Sequence, residues 1–240
     1  NQSKAGYFGS ECDGGYAQYT KVSHRQVHPV ETTMSDAELA TFACSYVTAE
    51  NMLNRGAVTA GDTVLVTGAS GGVGSALIQL ANRRGAKCVG LCSADKTDDV
   101  KAVGPLAVID RNCSDLGSAL RDAIGSESVD VVADVVGGSL WPQLINALAR
   151  GGRYTCAGAI AGPMVEFDLR TFYLRDLTFT GATVPLPGVF EDLVGYIERD
   201  EIRPLLAATY PLENFHAAQQ AFIDKRHVGN IVTEPFGPAT

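Results

Sequence analysis

The sequence predicts an α/β protein built on a doubly wound six-stranded parallel sheet, and three observations predict it. From Thr63 onward, strand-like and helix-like segments alternate regularly. The strand runs are nearly all apolar rather than alternating, as in a parallel sheet covered by helices on both faces. The first strand passes through the glycine cluster Gly68–Gly74 straight into an amphipathic helix pattern, Ser75–Arg84. That order lets backbone approach a pyrophosphate, while the helix start offers unpaired N–H groups and the positive end of its dipole.

The candidate strands are Thr63–Thr67, Lys87–Cys92, Leu106–Ile109, Val129–Val135, Arg153–Ala157 and Leu177–Thr183. Right-handed crossovers between six such strands give the doubly wound sheet. Leu77, Ile78, Leu80 and Ala81 form the buried face of the first helix. Ser114 is the expected N-cap of a second, with Leu116, Leu120 and Ile124 at helical spacing. A third begins near Trp141–Pro142, turns Leu144, Ile145 and Leu148 inward, and is expected to end at a Gly151-Gly152 C-cap. Before the sheet, Gly15–Val22 alternates like a half-buried antiparallel strand, and a helix covers about Asp36–Arg55. After it come helices over about Val189–Asp200 and near Glu213–Asp224, and a last strand at Val228–Thr233.

At 240 residues the chain can bury one substantial core, or one domain and part of another. The net charge of −8 argues against nucleic acid, which needs clustered Lys and Arg. No apolar run approaches the roughly 18 residues of a membrane span. The six cysteines are scattered without a CxxC pair, which suggests free thiols in a reducing, cytoplasmic setting. Asn1 stands within what reads as structured sequence, so a segment is expected upstream.

The glycine cluster satisfies three templates. Gly68-Ala69-Ser70-Gly71-Gly72 fits the GxSxG elbow of a hydrolase, with His216 or His227 as base, although no lid-like insertion or second oxyanion loop accompanies it. Thr67–Gly74 fits the TGxxxGxG of short-chain dehydrogenases. That chemistry needs a Tyr with a Lys four residues on, and Tyr154, Tyr173, Tyr196 and Tyr210 are followed there by Gly158, Leu177, Asp200 and Asn214. The third template is GxGxxG with Ala69 in the first glycine position and Gly71 and Gly74 in the others.

For the third template the rest of the chain agrees. Gly14–Tyr19 (GGYAQY), Thr48-Ala49, Gly61–Thr63, Asp130–Gly138 (DVVADVVGG), Gly151–Tyr154, Asp176–Gly181 (DLTFTG) and His227–Val232 stand in a specific order and spacing. In these the chain resembles the medium-chain dehydrogenase/reductase superfamily, in the branch of zinc-type alcohol dehydrogenases and quinone oxidoreductases. The resemblance implies a Rossmann cofactor domain over residues 48–186. It also implies a partial GroES-like, β-rich catalytic domain formed by 1–47 and 187–240. The first zinc ligands and the proton relay would lie upstream of Asn1. It further implies an oxidoreductase acting on a small-molecule substrate, as a homodimer or homotetramer joined through Leu177–Thr183. A dinucleotide-binding module without catalysis is the alternative from another class.

The end of the second strand decides the cofactor, because an acidic residue there would bond a ribose 2′-hydroxyl and repel a 2′-phosphate. It offers Ser93 with Lys96 three residues on, and Arg111 follows the third strand; this resembles the NADP(H) pattern. Carried over by position, the cofactor contacts are Thr48, Ser70, Gly71, Gly72, Val73, Gly74, Val136, Gly137, Gly158, Ala159, Thr180 and Gly181. Asn230 joins them where the family has Lys. Cys44, in C-S-Y-V-T, resembles the segment supplying the third ligand of a catalytic zinc, which needs about three protein ligands and an open position. In quinone oxidoreductases the same hydride transfer proceeds without metal.

Overall fold

The computed structural model describes residues 6–235, so the outermost residues of the segments 1–47 and 187–240 lie outside it. Its centre is a parallel sheet of β1 (Thr63–Val66), β2 (Lys87–Cys92), β3 (Ala107–Asp110), β4 (Val129–Asp134), β5 (Leu148–Cys156) and β6 (Thr178–Gly181). The spatial order is β3-β2-β1-β4-β5-β6. The chain starts in the middle, winds to one edge, returns and winds to the other. The order therefore reverses between β1 and β4, where Val64 lies opposite Val131.

Helices cover both faces, which is why the central strands β1, β2 and β4 are mostly apolar and buried. On one side pack α2 (Val47–Arg55), α3 (Gly72–Arg83) and α8 (Val189–Glu198), with Val64 and Val66 facing Met52, Leu53, Leu77, Ile78 and Leu193. On the other lie α5 (Leu116–Ile124), α6 (Trp141–Asn146) and α7 (Leu169–Leu174), where Leu65, Val89 and Val132 meet Leu116, Leu120, Trp141 and Leu144. Each fully buried Leu or Val contributes about 1.5–3 kcal/mol relative to leaving it exposed. The expected helix over Asp36–Arg55 is present as α1 (Asp36–Ala40), a π-helical turn (Phe42–Tyr46) and α2. Ser35 and Glu38 start it with a reciprocal capping box. A short helix α4 (Thr97–Ala102) precedes β3. After α8, the strand β7 (Leu206–Pro211), the helix α9 (Phe215–Asp224) and the strand β8 (Asn230–Glu234) form a parallel β–α–β unit packed beside α1.

Three local expectations fail. The cap of α5 is Asp115, not Ser114: its carboxylate accepts the Ser118 N–H at 2.6 Å, leaving Leu116 in the first turn to enter the core. Gly151-Gly152 does not cap α6, which ends at Asn146; both glycines lie inside β5. Between the pairs Val129↔Leu148 and Val131↔Arg153, β5 advances five residues while β4 advances two. Gly151, at φ 74°, absorbs that bulge. Gly15–Val22 forms no strand, and Tyr16 and Tyr19 are 72% and 85% exposed. An alternating segment becomes a strand only through a ladder, and no strand among the described residues pairs with it. Leu148 is buried as expected, but from the strand.

Candidate dinucleotide site

β1 hands the chain to Gly68, whose positive φ of 60° turns it back under the sheet edge. Gly71 N–H closes the turn on the Gly68 carbonyl at 2.9 Å. α3 then starts at Gly72 with Gly71 as its N-cap and no side chain bonded to its first-turn amides. Those amides at Gly72, Val73 and Gly74, with the helix dipole behind them, are what an anion requires. Gly74 packs so closely that an added Cβ would lie 2.1 Å from the Gly68 carbonyl oxygen. Ala69 is tolerated in the first glycine position because its methyl faces Gly90 on β2, where another Cβ would lie 3.0 Å away. The cradle fits a diphosphate. Ser70 is a loop residue whose carbonyl accepts the Gly229 N–H at 2.8 Å, and His227 stacks on Phe222 instead of pairing with it.

At the end of β4, the fully buried Asp134 organises the neighbouring loops. Its carboxylate accepts the hydroxyls of Thr67 (2.6 Å) and Tyr154 (2.7 Å) and the N–H groups of Val136 (2.8 Å) and Gly137 (3.2 Å). Burial, followed by the Asp134 charge, raises the Tyr154 phenol, which keeps it protonated and donating. Gly137 adopts φ 62°, and a Cβ on Gly158 would lie 2.9 Å from the Val135 carbonyl oxygen. Val136-Gly137 and Gly158-Ala159 thus run in contact at the carboxyl ends of β4 and β5. Beyond them a cleft of about 600 Å³ is lined by Cys156, Gly158, Ala159, Gly181, Ala182 and Arg55. Thr180 lies below it on β6, bonded to the Tyr154 carbonyl at 3.3 Å. Arg55 is held over the cleft by Asn51 (3.2 Å) and the Val184 carbonyl (3.0 Å). Thr48 is half-buried in the first turn of α2.

The C-terminal segment closes over the glycine loop. Gly229 bridges Gly71, and Asn230 Oδ1 accepts the Ser45 hydroxyl at 2.7 Å beside the start of α3. A Cβ on Gly72 would lie 2.2 Å from that oxygen. At the end of β2, Ser93 begins a short 3₁₀ turn and bonds Asp95, whose carboxyl it holds below the usual range. Lys96 reaches across to two carbonyls of the α9–β8 loop, those of Lys225 (2.5 Å) and His227 (2.7 Å). Arg111 is exposed, with its backbone N–H on the Cys92 carbonyl at 2.7 Å.

Cys44 is exposed on the π-helical turn. Among the described residues no group of three His, Cys, Asp or Glu could hold a metal ion, so the donor set a catalytic zinc needs does not gather around it. His28 packs on the Phe190 ring at 4.8 Å. Sequence patterning did not single out Asp134 or Arg55 as side chains beside these loops and this cleft, and it weighed Tyr154 only for a Tyr–Lys pair. Asp134 alone carried a signal, as the polar residue ending an apolar strand.

Residues 72–199 match the model of the zinc-binding dehydrogenase family. Acryloyl-coenzyme A reductase of Metallosphaera sedula is 31% identical over 232 residues, 96% of this chain and 68% of its own length. Quinone oxidoreductase of Mus musculus is 26% identical over 224 residues, 89% of this chain and 67% of its own. A candidate alcohol dehydrogenase of Sinorhizobium meliloti, known from a crystal structure, superimposes with a TM-score of 0.92 at 48% identity. That match covers 95% of this chain and 64% of the other. The chain spans about two thirds of the length of these relatives.

Proposed function

Because the chain belongs to the zinc-binding dehydrogenase family of the medium-chain dehydrogenase/reductase superfamily, we propose that it binds NADP(H) and moves hydride between it and a small carbonyl, alcohol, quinone or enone. The observation that carries the reading is the uncapped start of α3 at the point where strand order reverses, the crevice in which doubly wound sheets bind ligands. A bound nicotinamide supplies or accepts the hydride. The chain's own residues hold and orient it. Gly71, Gly72, Val73 and Gly74 receive the diphosphate, with Ser70 and Asn230 beside them. Ser93, Lys96 and Arg111 face the adenosine ribose, where β2 ends without an acidic residue. Val136-Gly137 and Gly158-Ala159 wall the nicotinamide, whose carboxamide meets the backbone of Thr180-Gly181. Thr48 stands at the interdomain helix. Residues 48–186 form the cofactor domain, and 1–47 with 187–240 belong to the catalytic domain.

Reduction of an enone or quinone without metal is the second reading. Its support is the likeness to the acryloyl-coenzyme A reductase of Metallosphaera sedula (31% identical) and to the quinone oxidoreductase of Mus musculus (26%), beside the 48% identity to the candidate alcohol dehydrogenase that supports the first reading.

The test is calorimetric titration of the chain with NADPH and NADH, then NADPH oxidation assayed with aldehydes, quinones and enones, and NADP⁺ reduction with alcohols. NADPH is expected to bind more tightly than NADH. Equal affinity refutes the NADP assignment, and binding without turnover on any substrate class leaves a binding module.

A further inference from the structure

Lys96 is tethered. Its two bonds to the Lys225 and His227 carbonyls stitch the α9–β8 loop onto the carboxyl end of β2. They also bring a second ammonium to the same place. Lys225 ends α9 in left-handed backbone, at φ 54°, and its Nζ lies 3.4 Å from the centroid of the Phe222 ring. His227 stacks on the same Phe222 ring with 5.5 Å between centroids, and its Nδ1 is buried without a hydrogen-bond partner among the described residues.

No carboxylate bonds Lys96 or Lys225 among the described residues; the nearby Asp95 is engaged by Ser93. Burial and then the Lys96 charge push the Lys225 ammonium below its ordinary value, and burial with both lysines does the same to His227. Like charges gathered this way repel, in a chain whose net charge is −8. The arrangement becomes favourable when a dianion enters it. The cation–π contact and the left-handed backbone hold the Lys225 ammonium in place beforehand, and Lys96 retains one free donor after its two carbonyl bonds.

We infer that Lys225 is a specificity-determining residue: the ammonium delivered by the α9–β8 loop completes, with Lys96, a site for a phosphate monoester, occupied by the 2′-phosphate of NADPH. The inference rests on the NADP reading above and extends it to a residue on the C-terminal segment, 129 positions from Lys96. Recognition of the phosphate then requires that segment to be closed over the glycine loop.

The experiment is calorimetric titration of the full chain and of Lys225→Asn, Lys225→Arg and Arg226→Gln with NADPH, NADH, 2′,5′-ADP and inorganic phosphate. Asn tolerates left-handed backbone, and Lys225 is exposed, so the substitution removes charge without a cavity. Lys225→Asn is expected to weaken NADPH and 2′,5′-ADP about tenfold, the scale of one charge-assisted hydrogen bond, and to leave NADH within about twofold. Lys225→Arg retains affinity, and Arg226→Gln leaves all ligands within about twofold. A wild type without NADPH preference refutes the NADP reading itself. A wild-type preference that survives Lys225→Asn refutes the role of Lys225 alone. An equal loss in Arg226→Gln overturns it in favour of long-range charge. Inorganic phosphate binding as tightly as 2′,5′-ADP overturns it in favour of a free-anion site.

Discussion

Gly74 and Gly68 approach each other as backbone to backbone, with no flexible side chain to give way. Gly74→Ala therefore moves α3 off β1. The expected cost is about 1–3 kcal/mol by urea unfolding, with loss of dinucleotide affinity by calorimetry. An unchanged affinity would show that the contact does not hold the cradle. Glu201 offers a pH signature at the same scale. Arg199 first, then Arg83, lower its carboxyl from 4.5 to about 2. A depressed carboxyl stabilises the fold above its unfolded value and loses that contribution as pH falls through the folded one. Glu201→Gln is thus expected to be less stable than wild type at pH 7, with the difference fading between pH 4.5 and 2 and shrinking in high salt. A gap that persists at pH 2 would mean packing, not charge.

At the scale of elements, α5 tests whether the second core is separable from the site. Leu120 is fully buried on α5 against the face of the sheet opposite α3. Leu120→Ala is expected to cost about 2–5 kcal/mol in unfolding experiments and to leave NADPH affinity unchanged. A parallel loss of affinity would show the two faces to be coupled. Elements were legible in the sequence where local pattern and environment agree. β2 matches its expected Lys87–Cys92 bounds, and α3 buries Leu77, Ile78, Leu80 and Ala81 as its periodicity required. They were illegible where a distant partner decides. Gly151-Gly152 reads as a helix stop locally, yet the ladder with β4 recruits it into a bulged strand. Gly15–Val22 has strand alternation without a ladder, and β7 lacked alternation strong enough to stand out but gains pairing from β8.

At the scale of the whole molecule, β6 pairs with β5 alone among the described residues, which leaves the β6 edge of the sheet open. Open edges invite pairing with a second copy, and sedimentation is expected to show a homodimer or a homotetramer; a monomer would refute assembly through this strand. No helix among the described residues is long and apolar enough to cross a membrane. The sequence by itself determined the sheet, the strand–glycine–helix cradle and the absence of an acidic residue at the end of β2. Each of these is written in contiguous residues whose backbone preferences act locally. Only the tertiary structure decided that Lys96 serves the C-terminal loop, that Gly90 makes room for Ala69, and that Asn230 meets Ser45 across 185 positions. Such pairs have no local signature, because the free energy that joins them exists only once packing has brought the two segments together.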